Sequence, residues 1–180
     1  MVWNAAHIHL MINHLPIFAL DLAIPLLLLA LWKREEKAIF LGAVLLMLFG
    51  TLGGIGSVLS GDEAEEYVEG EQGVSMKSLS EHEELAEVTS LTLNIVGIMA
   101  LFVYFLKKKR PELLRPEYWI IILLIGALVG STMAGLTALE GGKIRHPEIR
   151  PGASESILTP ESGLLKSSDA ETSEDRDDDD

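Results

Sequence analysis

The chain has no cysteine. That absence excludes disulfides, thiolate metal sites, iron–sulfur clusters and covalently attached haem, all of which need Cys sulfur. Any cofactor must be held by nitrogen or oxygen, or by Met sulfur. Basic residues are missing from the start of the chain, since no Lys or Arg precedes Lys33. A cleavable signal peptide needs a positive segment and a small-residue cut site around its apolar stretch, and neither is found, so the first apolar run is expected to stay in the mature protein. A basic face able to neutralise phosphates is lacking too. The only basic runs flank apolar segments, which argues against a nucleic-acid partner.

What is present is acidity in two places and apolar residues in four. Of the net charge of −13, residues 61–84 hold nine acids against Lys77, and residues 147–180 hold eleven against Arg150, Lys166 and Arg176. Elsewhere the chain is slightly basic. The apolar runs cover about residues 8–32, 38–60, 85–106 and 118–139. Each is about 20 residues or a little more, enough to cross the hydrocarbon core of a bilayer, and only helices can do so without stranding backbone polar groups. The expected fold is all-α: an integral membrane four-helix bundle over residues 1–146, followed by an acidic, disordered tail over 147–180. The tail is rich in Pro, Ser, Glu and Asp and ends in four Asp, a composition that buries too little surface to offset its ordering entropy. Two helical hairpins in succession hint at a duplication, although no repeat stands out in the sequence itself.

Charge sets the expected orientation. Lys33, Arg34 and Lys37 occupy the first connection and Lys107, Lys108, Lys109, Arg110 and Arg115 the third, whereas the second holds only Lys77. The positive-inside rule places the first and third in the cytoplasm, with both termini and the acidic loop outside. Trp3, Trp32, Tyr67 and Tyr118-Trp119 fall near span ends, where amphipathic rings prefer to lie.

All five histidines then fall at the outer face: His7, His9 and His14 before the first span, His82 before the third and His146 after the fourth. Imidazole is the strong neutral ligand left to a chain without Cys, and a pair of imidazoles on facing helices can hold haem b. At 100° per residue, His9 and His14 lie about 140° apart on a continuous helix and cannot face one iron, whereas His7 and His14 share a face. His14 can pair with His82 or His146, leaving His9 for a second centre or a supporting hydrogen bond. A competing centre is a non-haem divalent metal held by His14, His82, His146, Glu63, Glu66 and Glu87, because mixed imidazole and carboxylate donors suit zinc, iron or manganese. The bland alternatives are histidines that cap helix ends and acids that are simply solvated.

Within the spans, Asp21, Glu87 and Asn94 are costly in hydrocarbon and are expected to face the bundle interior or water. Asp21 lies one helical repeat below His14, about 10 Å deeper, in line for proton transfer toward a quinol or for a packing hydrogen bond to Asn94, Thr92 or Thr132. Gly50 with Gly54, and Gly126 with Gly130 and Ala134, are spaced to bring helices close. The same glycines would alternatively leave room for a flat macrocycle. Ser57 and Ser60 adjoin the acidic segment, but no nucleophile-elbow or phosphate-loop sequence is present.

The stretches His9-Leu-Met-Ile-Asn-His14-Leu-Pro16, Ser60-Gly61-Asp62-Glu63-Ala64-Glu65, His82 and Gly141-Gly142-Lys-Ile-Arg-His146 resemble the small four-span bacterial membrane proteins grouped as domain of unknown function 2231. The resemblance covers about residues 5–146. Leu10 and Leu15 depart from that family's usual Pro and Phe. The resemblance implies an inner-membrane location and a redox or cofactor role, with His9, His14, His82 and His146 as the matching candidates. The reading that follows is a b-type cytochrome-like subunit passing electrons between quinol and a periplasmic c-type cytochrome, whose approach the acidic loop and tail would favour. Its rival is a non-catalytic membrane subunit or metal-binding module of a larger complex.

Overall fold

The computed structural model describes residues 4–33, 36–113 and 115–151, and every regular element among them is helical. Trp3, Arg34 and the acidic tail beyond Pro151 lie outside the described residues. The first apolar run is broken in two. Helix α1 (Ala5–Ile12) starts at Asn4, whose side chain accepts the His7 N–H at 3.0 Å. It stops because Pro16 has no N–H to offer the Ile12 carbonyl, and α2 (Leu15–Trp32) restarts with that proline in its first turn.

Helix α3 (Lys37–Glu65) and helix α4 (Met76–Lys109) run well past the apolar limits into the acidic segment. Only residues 66–75 remain as a connection, with Gly70 and Gly73 at φ 77° and 84°, a backbone that suits glycine. Ser75 caps α4 by accepting the Ser78 N–H, and Lys107, Lys108 and Lys109 sit in its last turn, where the helix dipole favours cations. Helix α5 (Pro116–Arg145) completes the set. The chain divides after Arg145. In the second unit, a 3-10 turn over Pro147–Ile149 carries a His146 Nδ1–Glu148 Oε1 bond of 2.8 Å.

Helices α2, α3, α4 and α5 each pack on their sequence neighbours, α5 closes back on α2, and α1 lies on α3. One end of this antiparallel bundle gathers α1, the end of α3, the start of α4 and the end of α5; the other gathers the Lys- and Arg-bearing turns. Four helices are long and apolar enough to cross a membrane, and only 33% to 39% of each apolar window is buried in the bundle. The outward remainder includes Phe18, Leu22, Leu45, Phe49, Leu91, Ile95, Ile125 and Leu128. An apolar belt on every side suits a lipid solvent, whereas a soluble monomer rarely exposes so much.

For helices with so apolar an outer surface, lipid would be as apolar as the core, and close packing would have to hold them together. Glycines provide it. A Cβ on Gly54 would lie 2.6 Å from Leu93 Cδ1, one on Gly130 2.8 Å from Leu20 Cδ1, and one on Gly126 2.3 Å from Met99 Cε. On Gly53 it would meet Leu15 Cβ at 2.8 Å and Pro16 Cδ at 3.2 Å. These notches are filled by side chains, so the glycines serve packing and leave no slot for a flat macrocycle between the helices. At Gly97 a Cβ would fall 2.4 Å from Thr51 Oγ1 and 3.0 Å from Thr51 Cβ, against a short side chain rather than the end of a flexible one. Thr51 is pinned there by donating to the Leu93 carbonyl at 2.9 Å and the Met47 carbonyl at 3.0 Å.

Replacing Gly97 by Val should overpack the α3–α4 seam and cost about 1–3 kcal/mol. In detergent this reads as a lowered thermal midpoint, while Gly135→Ala, whose Cβ meets nothing within 4 Å, should leave the midpoint unchanged.

Candidate functional site

Two histidines are seated alike at the same end of the bundle. His9, half-buried on α1, places Nδ1 3.0 Å from the Ser57 carbonyl of α3 and 3.2 Å from Ser60 Oγ. His82, half-buried on α4, places Nδ1 2.9 Å from the Thr137 carbonyl of α5. A carbonyl oxygen only accepts, so each Nδ1 carries the hydrogen, and in the neutral ring Nε2 is left with a free lone pair. This is the arrangement by which a ligating histidine is normally held, one ring nitrogen on a fixed acceptor and the other available.

A glycine lies against each ring, and only at His82 is the space tight. A Cβ on Gly61 would lie 3.5 Å from His9 Cε1, and one on Gly141 3.0 Å from His82 Cε1. His9 is also within electrostatic reach of both His82 and His14. The structure therefore brings His9, His14 and His82 to one mouth.

The other candidates are less engaged. His14 is exposed at the start of α2, stacked on Phe18 with ring centroids 6.3 Å apart. His7 is exposed, with Nδ1 at 2.5 Å from its capping residue Asn4. His146 belongs to the second unit and bonds Glu148; the Glu148 backbone amide, with the His146 ring, holds that carboxyl below the usual carboxylate range. Glu63 on α3, Glu66 just past its end and Glu87 on α4 are all exposed. Among the described residues, no three His, Asp or Glu side chains come together closely enough to hold a metal ion. The acids instead form a rim, in which Glu65 lies within electrostatic reach of Glu83 of α4 and of Glu69 and Asp62.

Three features were outside the reach of sequence reasoning. Asp21 does not face the interior. It is exposed at the seam of α2 with α5 and accepts a hydrogen bond from Ser131 Oγ, a partner absent from the sequence-based candidates. Glu140 and Asn13 each keep a buried side-chain oxygen with no protein partner, Oε2 and Oδ1 respectively. An open groove of about 490 Å3 lined by Glu81, Glu84, Leu85, Val88 and Glu140 runs along the outer surface, and neither imidazole lines it.

Comparison with family models, curated proteins and solved structures found no match to the chain.

The two seats predict different tolerances. Gly141→Ala should displace the His82 ring and move its Cε1–H resonance, because 3.0 Å is tighter than carbon–carbon contact allows, whereas Gly61→Ala, at an ordinary 3.5 Å, should leave the His9 resonance near its original position.

Proposed function

We propose that this protein is a membrane-embedded, b-type cytochrome-like electron-transfer subunit of the bacterial inner membrane, with His9 and His82 as the two imidazoles that would hold haem b. One observation carries the reading: both rings are fixed through Nδ1 to a backbone carbonyl, which leaves two Nε2 lone pairs at one mouth. The haem of a b-type cytochrome would be held by two imidazoles, whereas a structural or catalytic zinc takes three or four protein donors. The absence of any three-donor group among the described residues thus favours haem over the mixed His and Glu set. Haem b fits this donor chemistry and does not fit between the filled glycine faces, so the macrocycle would lie at the mouth. When bound, it would supply a one-electron couple.

The chain's own residues do the remaining work. Ser57 and Thr137 orient the rings through their carbonyls, and Ser60 Oγ gives His9 a second contact. The neighbouring acids Asp62, Glu65, Glu69 and Glu83 make the mouth attractive to a basic partner such as a periplasmic c-type cytochrome. Quinol is the matching donor class from the membrane side. A second reading, a non-catalytic subunit of a larger membrane complex, is favoured by Asp21. A carboxylate on the outer surface of a span is costly against lipid and inexpensive against a protein neighbour.

Purified in mild detergent after expression with ample haem supply, the protein should show a b-type α-band on reduction and a matching pyridine haemochrome. Both should vanish in the His9→Ala/His82→Ala double variant. A folded, colourless protein under those conditions would sink the cytochrome reading and leave the subunit reading.

Orientation has its own test, made simple by the lack of native cysteine. In intact cells whose outer membrane has been permeabilised, Gln72→Cys should react with an impermeant maleimide and Lys108→Cys should react only after lysis. The reverse pattern would place the histidine end in the cytoplasm.

A further inference from the structure

The two seats for His9 and His82 are not an isolated likeness. His82 stands 73 positions after His9, and the same shift carries the buried α2 residues Leu20, Ala23, Leu27 and Ala30 onto the buried α4 residues Leu93, Val96, Ala100 and Val103. A shift of 80 carries Phe40, Ala43, Met47, Gly50 and Gly54 of α3 onto Ile120, Leu123, Ala127, Gly130 and Ala134 of α5, all of them buried. It also carries Ser57 onto Thr137 and Gly61 onto Gly141, the residues that build the seats.

Contacts repeat as well as burial. Ser57 Oγ donates to the Gly53 carbonyl at 2.8 Å, and Thr137 Oγ1 donates to the Met133 carbonyl, the corresponding position, at 3.0 Å. Leu20 packs on Gly50 of its own hairpin and on Gly130 of the other; Leu93 packs on Gly130 of its own and on Gly54 of the other. Across the seams between hairpins, Thr51 of α3 bonds the Leu93 carbonyl of α4, and Ser131 of α5, its counterpart, bonds Asp21 of α2, next to Leu20.

We infer that the chain is a tandem duplication of one helical hairpin, with the copies related by a pseudo-two-fold axis along the bundle, and that each copy supplies one equivalent imidazole seat to a single symmetric site. Any amphipathic hairpin could repeat a burial pattern. Repeating a ring nitrogen on a carbonyl, with a glycine one turn further along against that ring, requires the same local structure twice. The two shifts differ by seven because the second copy is longer at the end remote from the seats: α4 runs four residues past the position that matches Trp32, the turn 110–115 is two residues longer than 33–36, and α5 starts one residue before the match of Lys37.

The copies also show where the symmetry is broken. His14 and Asp21 of the first correspond to Glu87 and Asn94 of the second, and the α1–α2 break has no counterpart in the continuous α4. Ligation is therefore assigned to the residues both copies keep, His9 and His82. His14 and Asp21 belong to the first copy alone, and neither is an axial ligand. The shared ligand class is a centre that takes two neutral imidazoles through Nε2, and its identification as haem iron rests on the function proposed above.

Two measurements on the full-length protein separate the inference from that reading. The first uses ferric haem as the probe, titrated into wild type and the His9→Ala, His82→Ala and His14→Ala variants and followed by optical and electron paramagnetic resonance spectra. Equivalent seats predict a low-spin wild-type complex, conversion of at least nine-tenths of it to high spin in either His9→Ala or His82→Ala, and no conversion in His14→Ala. Haem bound through one of the two seats only, or through His14, overturns the symmetric site while leaving a haem protein.

The second measurement needs no variant and no haem: nitrogen-15 histidine spectra of the wild type in detergent. Both His9 and His82 should give the two-bond coupling pattern of the tautomer with hydrogen on Nδ1. If haem fails to bind, this pattern in both rings upholds the paired seats, and hydrogen on Nε2 in either ring overturns them.

Discussion

Leu20 and Leu93, seated in notches that Gly50, Gly54 and Gly130 leave open, are the contact on which the rest of the bundle depends. Both leucines are essentially out of reach of solvent. In a bilayer there is no gain from hiding apolar side chains from other apolar groups, so helix association rests on dispersion across short distances and on a few interhelical hydrogen bonds. The glycines shorten those distances at mid-depth, and the Thr51–Leu93 bond fixes the register beside them. With the mid-depth register set, the ends of the helices have no freedom about which ring meets which carbonyl. The His9 and His82 seats are downstream of a packing choice made two to three helical turns away.

That dependence separates what could be read in the sequence from what could not. Four helices of spanning length were legible because hydropathy is a sum over many residues, and no single contact changes it. The pairing of His9 with Ser57, or of His82 with Thr137, depends on rotation of one helix against another, which the order of residues does not specify. Continuity of the helix was misleading in one place and underestimated in others. The 140° separation argued for His9 and His14 assumed one helix, but Pro16 starts a new one, so the angle has no meaning there. Helices α3 and α4 extend into the acidic segment because a helix outside the bilayer needs a cap and a good backbone, not apolar residues, and Ser75 supplies the cap. The cost of its charge left Asp21 either the interior or water; its rotational position on α2 is set by Leu20 beside it, which takes the interior.

The two-fold pattern was hidden for a similar reason. Few of the corresponding positions are identical, and what repeats is burial: Gly54 with Ala134, Met47 with Ala127, Ala23 with Val96. The polar residues at the seats have been held more closely, with His, Ser or Thr, and Gly in both copies.

A duplicated unit with an even number of crossings has a consequence for how such a chain enters a membrane. Each hairpin begins and ends on the same side, so two copies joined head to tail keep the same handedness toward the bilayer, and neither has to be inverted. Each also carries its own cluster of basic residues at its turn, Lys33 to Lys37 in the first and Lys107 to Arg115 in the second. The instruction for insertion is thus present twice, and the ancestral hairpin could have been threaded, and paired with a copy of itself, before the two were ever joined.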